Sequence, residues 1–147
     1  MLYKGHLSFK QYIPSKRSRF KSAITGIGKS GAIVLSLLKL YLGKGHTVYL
    51  DNFYSSLALF NFLHKNCTTA CGTVSKRRQR TPKCEELLKK GKACFRTSNS
   101  LLVMKWIDKE EVYMITNMHT ANFAAVSRYG GQQSVQKPVY VIISQWI

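Results

Sequence analysis

The stretch "LGKGHTVYLDNFYSSLALFNFL", residues 42–63, sets the fold. "HTVYLD", residues 46–51, is rich in β-formers, which predicts a buried strand ending at an aspartate. Ser55 or Ser56 then offers an N-cap hydroxyl for a helix over residues 57–66, "LALFNFLHKN". Working outward, "GAIVLSLLKLYL", residues 31–42, predicts a preceding helix, started by Ser30 and ended by a left-handed Gly43. "ACGTVS", residues 70–75, predicts a second strand. Strand, helix and strand on short links make a βαβ unit, whose crossover joins parallel strands.

The flanks are less regular. Residues 2–9, "LYKGHLSF", predict a short extended segment. "KQYIPSKRSRFK", residues 10–21, reads as an exposed basic loop because Pro14 interrupts any helix. Residues 84–90, "CEELLKK" before Gly91, predict a short helix. "LLVMKWI" and "EVYMITNM", residues 101–107 and 111–118, flank Asp108-Lys109-Glu110 and predict an antiparallel hairpin. Residues 120–137 read as polar loop, and "PVYVIISQWI", residues 138–147, as an apolar β-like tail prone to aggregation. The fold class is α/β, with α+β as the alternative. One partly complete domain spans 1–147: a βαβ-containing core to residue 75, then a basic linker and a β-rich region over 76–147.

Charge is the dominant compositional fact. Twenty-three Lys and Arg oppose six Asp and Glu among 147 residues, for a formal net charge of +17. Solubility asks only about 2–8 of a small domain, so this excess points to a polyanionic partner. The basic residues concentrate at Lys10, Lys16, Arg17, Arg19 and Lys21, and again at Lys76, Arg77, Arg78 and Arg80. They suit nonspecific phosphate contact with DNA, with Tyr12, Phe20 and Phe53 available for stacking. No apolar run is long enough to span a bilayer, so no membrane partner is expected. "TGIGKSG", residues 25–31, lacks the spacing of a phosphate loop. Cys67, Cys71 and His64 would suit zinc if Cys67 and Cys71 sat on neighbouring helical turns; ordinary reduced thiols are the commoner case.

Three segments carry a family resemblance. "FKQYIPSKRSRF", residues 9–20, resembles a basic Y-x-P-x-K segment of piggyBac-type transposases. Residues 42–63 resemble the family's most recognisable stretch, around D-N-F-Y-S-S. "CGTVSKRRQRTPK", residues 71–83, resembles its G-T-V motif followed by basic residues and proline. A weaker likeness runs over residues 94–120. The resemblance implies an RNase H-like fold that cuts and rejoins DNA with divalent metal, such as Mg²⁺, held by three aspartates. Asp51 matches the second of these. The first is expected a few residues before the segment matched at Met1. The third belongs to a G-G-V-D motif after the match to "KPVYVI", residues 137–142, where this chain reads "ISQWI". Two strands of the family's central sheet are also missing between Lys21 and Ser22, which would leave one flank of the βαβ unit bare. The family's cysteine-rich zinc domain is not matched, so the four cysteines inherit no zinc role.

The expected fold is therefore an incomplete RNase H-like one, with Asp51 vestigial as catalytic and metal residue, no cofactor, and no enzymatic activity. The expected function is a transposase remnant that binds DNA without sequence specificity. The alternatives are a decayed fragment with no selected activity and a metal-dependent nuclease. "KRRQR" is compatible with nuclear import, and an open sheet edge with association to related transposase-like proteins.

Overall fold

The structure is a computed structural model that describes residues 6–8, 26–118, 120–127, 134–139 and 141–142. A six-stranded mixed sheet forms its centre. In chain order its strands are β1 (His6–Ser8), β2 (Thr47–Leu50), β3 (Thr69–Thr73), β4 (Ala93–Ser98), β5 (Leu101–Ile107) and β6 (Glu111–Thr116). Their spatial order is β1-β2-β3-β6-β5-β4. β1, β2 and β3 run parallel, while β6 joins β3 antiparallel and continues through β5 to β4. β2 and β3 are linked by helix α2 (Leu57–Lys65), and helix α1 (Gly28–Leu38) precedes β2. The predicted βαβ unit is therefore present. So is the hairpin, with Ile107 opposite Glu111 across the three-residue turn.

The alternation of side chains explains the layering. Val48, Leu50, Ala70, Leu101, Val103 and Ile115 face one core with α1 and α2, where Val34, Leu38, Leu59, Phe60 and Leu63 are buried. Tyr49, Cys71, Leu102, Met104, Trp106 and Met114 occupy the other face with Val141. A separate ribbon of β7 (Phe123–Ser127) and β8 (Ser134–Pro138) touches that second face. Phe123 meets Phe95 edge-on at 5.8 Å, and the Lys137 ammonium stands 5.9 Å from the centre of the Trp106 ring.

Five expectations are corrected. α1 starts at Gly28 with no side-chain cap, rather than after Ser30, and ends at Leu38, because the chain turns through exposed Leu40 to left-handed Gly43. Residues 84–90 form no helix. Cys84 is buried, and the Lys105 ammonium donates to the Cys84 and Glu86 carbonyls at 3.4 and 3.3 Å, so those carbonyls serve β5 instead of a helical ladder. Residues 120–137 are not loop throughout, since they contain β7 and most of β8. Beyond Pro138 the tail is helical at Val139, Val141 and Ile142, not extended. Finally, the βαβ unit has no bare flank among the described residues: β6 pairs with β3, and β1 pairs with β2.

One charged side chain lies inside this sheet. Lys105 is only 6% exposed, and its ammonium meets Glu111 at 3.1 Å. Its long stem packs while the charge is satisfied at the end. Lys105 holds the Glu111 carboxyl below its ordinary value, with Lys76 adding to the effect. The Cys94 thiol and Arg96 likewise lower Glu86. A depressed folded pKa gives stability that is present above the unfolded value and lost as pH falls through the folded one. The thermal midpoint should therefore fall as pH drops below the ordinary glutamate value of 4.5. In Glu111→Gln that acid slope should be shallower, as thermal scans across this range would show.

Candidate functional site

Asp51 sits where β2 ends and the chain turns into α2. Its carbonyl accepts from the amides of Tyr54 and Ser55 at 3.0 and 3.1 Å, and from the Ser55 hydroxyl at 3.0 Å. Ser55 is thus committed to the turn, while Ser56 caps α2 by accepting from the Leu59 amide. The Asp51 carboxylate is exposed and accepts from the Asn52 amide at 2.7 Å and the Thr73 hydroxyl at 3.3 Å. The turn fixes the carboxylate at the strand end, as the sequence predicts.

All six acidic residues of the chain lie in the described part. Among the described residues, Asp51 belongs to no group of three His, Cys, Asp or Glu donors that could hold a metal. Glu111 is held by Lys76 at 3.4 Å and Lys105 at 3.1 Å, and Glu86 pairs with Arg96. This donor set does not fit a two-metal centre, which needs several carboxylate oxygens converging on ions about 4 Å apart.

The basic cluster after β3 folds back over the Asp51 turn. Arg78 donates to the carbonyls of Asn52 and Phe53 at 2.8 and 3.0 Å. Arg78 is therefore a structural clamp, and Lys76 is engaged by Glu111. Arg77 and Arg80 are exposed. Beside them opens a cleft of about 1100 Å³. Its walls are the start of α1 (Gly28, Lys29, Ser30), the Asn52-Phe53 turn, the start of α2, the Arg77–Arg80 segment and the β4–β5 turn at Ser98-Asn99. No carboxylate lines it. Neither helix carries an acidic residue in its first turn, and α1 has no side-chain cap. Their amide-rich, partially positive ends therefore face the same cleft as Lys29, Arg77 and Arg80. Phe53, 57% exposed, offers an aromatic face there.

The sequence points to Arg77, Arg80 and Phe53 but not to Lys29 or the Ser98-Asn99 turn, which reach the cleft only through folding. Lys10, Lys16, Arg17, Arg19 and Lys21, with Tyr12 and Phe20, lie outside the described residues. The cysteines are arranged differently from the sequence reading. Cys67 is exposed in the turn after α2, with φ +49°, and Cys71 is buried in β3, so they do not share a helix. Burial pushes the Cys71 thiol up to about 12. The cysteines that do converge are Cys84 and Cys94, beside Glu86.

No described helix is long and apolar enough to cross a membrane. In comparison with known proteins, the family described as "Transposase IS4", which comprises piggyBac-type transposases, matches residues 24–145. Among solved structures, the chain is similar to a piggyBac transposase in a synaptic complex with hairpin DNA, studied by cryo-electron microscopy. The TM-score is 0.63 and the sequence identity 19%; the match covers 84% of this chain and 26% of that one. This chain thus spans about a quarter of that transposase. The mixed α/β architecture fits the RNase H-like fold of that family. Since the family match extends over most of the 147 residues, the chain belongs to the piggyBac-type transposase family.

Proposed function

We propose that this chain is a transposase-derived module that holds duplex DNA by its phosphates and does not itself cut it. The observation that carries this reading is the cleft in which two helix N-termini meet Lys29, Arg77 and Arg80 with no carboxylate in its lining. Backbone amides at helix starts and basic side chains are the groups that bind phosphate oxygens. Phe53 adds a surface for stacking on an unpaired base. Among the described helix residues that line the cleft, the polar ones are Lys29, Ser30 and Asn61, a small set, so contact is mainly with the backbone of the nucleic acid. The net charge of +17 supports the same reading, as does a structural relative bound to hairpin DNA. Asp51 keeps its place at the strand end as a turn residue, and among the described residues it belongs to no group of three metal donors. The site of action is nuclear DNA, the substrate on which the family acts.

Fluorescence anisotropy with a labelled duplex over a series of salt concentrations tests this. Affinity should fall steeply with salt, and the K29A/R77A/R80A variant should bind at least roughly tenfold more weakly. Its salt slope should be shallower by about 0.9 for each phosphate contact removed. Unrelated duplex sequences should bind equally. Wild-type affinity in the triple variant, or binding indifferent to salt, would reject the cleft as the contact surface.

A further inference from the structure

The strap that follows the basic cluster lies against β4, the strand at the far edge of the sheet from β1 and β2. The Cys84 and Cys94 sulfurs and a Glu86 carboxylate oxygen all lie within 4.8 Å of one another. Cys84 is 2% exposed and Cys94 7%, while Glu86 reaches the surface. We propose that Cys84, Glu86 and Cys94 form a zinc site that fastens the strap to β4, with water in the fourth position.

The donor chemistry supports zinc. Two thiolates and a carboxylate suit a borderline ion that accepts sulfur and oxygen in tetrahedral geometry, whereas Mg²⁺ and Ca²⁺ call for oxygen alone. With Zn–S near 2.3 Å, two tetrahedral sulfurs stand about 3.8 Å apart, so closing the site asks for movements of about 1 Å. The strap is already positioned for this. Lys105 anchors the Cys84 and Glu86 carbonyls from beneath, and the Cys84 thiol lies 3.6 Å from the Cys94 carbonyl.

The charges also balance. Binding Zn²⁺ releases the two thiol protons, and the resulting cluster of two thiolates, one carboxylate and one dication carries a single negative charge. Arg96, paired with Glu86, and the Lys105 ammonium are the cations placed to offset it. The exposed Glu86 side gives the ion a way in. Because residues 84–90 are not helical, the C-x-E pair of the strap brings both of its donors to one point on β4, beside Cys94.

Cobalt titration of the reduced, full 147-residue chain is the test. One Co²⁺ per chain should bind with a thiolate-to-cobalt charge-transfer band, and Zn²⁺ should displace it. Cys84→Ser and Cys94→Ser should abolish the band, while Cys67→Ser, in the exposed turn after α2, should keep it. Glu86→Gln should weaken binding at least about tenfold, the loss that even an outer-shell partner of a metal ligand causes. Glu86 is exposed, so that variant decides the matter even if the serine variants fail to fold. The proposal is overturned if reduced wild type shows no charge-transfer band, if the band survives Cys94→Ser, or if Glu86→Gln binds like wild type. A chain that takes up no cobalt yet forms a Cys84–Cys94 disulfide on oxidation overturns it too.

Discussion

Gly72→Val should abolish cooperative folding. Gly72 is the penultimate residue of β3, opposite Leu50 of β2 on one side and Ile115 of β6 on the other. A Cβ at this position would overlap the Leu50 carbonyl oxygen and stand 3.0 Å from both the Leu50 carbonyl carbon and the Ser55 hydroxyl. The obstacle is backbone, which cannot rotate away as a side-chain tip can. Its φ is not left-handed, so the demand is for close approach rather than for conformational freedom. Overpacking of a core typically costs about 1–3 kcal/mol, and a backbone overlap between central strands belongs at the top of that range or above it. Even Gly72→Ala should lower stability clearly. The same contact holds the Asp51 turn, because Ser55 donates to the Asp51 carbonyl from beside Gly72. Circular dichroism during thermal unfolding checks this: wild type should give a sharp transition and Gly72→Val a broad one or none. A sharp transition near the wild-type midpoint in Gly72→Val would mean that β2 and β3 do not pack as described.

Phe60→Ala should cost about 3–5 kcal/mol. Phe60 is the largest fully buried side chain among the described residues, at 0% exposure, and sits in the α2 face that covers the sheet. Its removal takes away apolar contact with the strands and leaves a cavity that Leu59 and Leu63, on the backbone of the same helix, can fill only in part. A domain of this size is typically stable by only about 5–15 kcal/mol, so the loss is a large fraction of the whole. Urea unfolding should show a much lower midpoint with an unchanged slope. A midpoint within experimental error of wild type would show that α2 is not packed on the sheet.

The elements that sequence predicts well are those whose local pattern agrees with their packing. β2 is buried along its whole length, and its β-branched and aromatic run says so. α2 has a serine cap, an apolar stripe and a polar exit, and its observed bounds lie within a residue of those expected. The segment at 84–90 fails for the opposite reason. Glu, Leu and Lys favour helix, yet a buried lysine 21 and 19 residues after Cys84 and Glu86 draws their carbonyls away, and Leu87 is left fully exposed. β4 goes unrecognised because Arg96, Thr97 and Ser98 dilute its pattern at a sheet edge. β7 has small side chains at alternate half-buried positions, a weak signal beside its polar neighbours.

The candidate site divides in the same way. Asp51 and the Lys76–Arg80 cluster are contiguous features, and a family motif marks them both. The cleft itself joins segments near residues 26–30, 52–61, 75–80 and 98–99, which only the sheet order brings together. Arg78 shows the limit of reading charge from sequence, since it spends its guanidinium on two backbone carbonyls. The Cys84–Glu86–Cys94 cluster depends on the strap being extended, so a helical reading of that segment conceals it.

The measurement that tests the account most directly is amide chemical-shift mapping of the isotope-labelled chain during titration with a short DNA duplex at low salt. Binding by the cleft predicts perturbations at Gly28, Lys29, Leu57, Ala58 and Arg77 to Arg80, reversed by added salt, with the β5–β6 turn unaffected. Shifts centred on the β7–β8 ribbon or the β5–β6 turn, or no shifts at all, would contradict it.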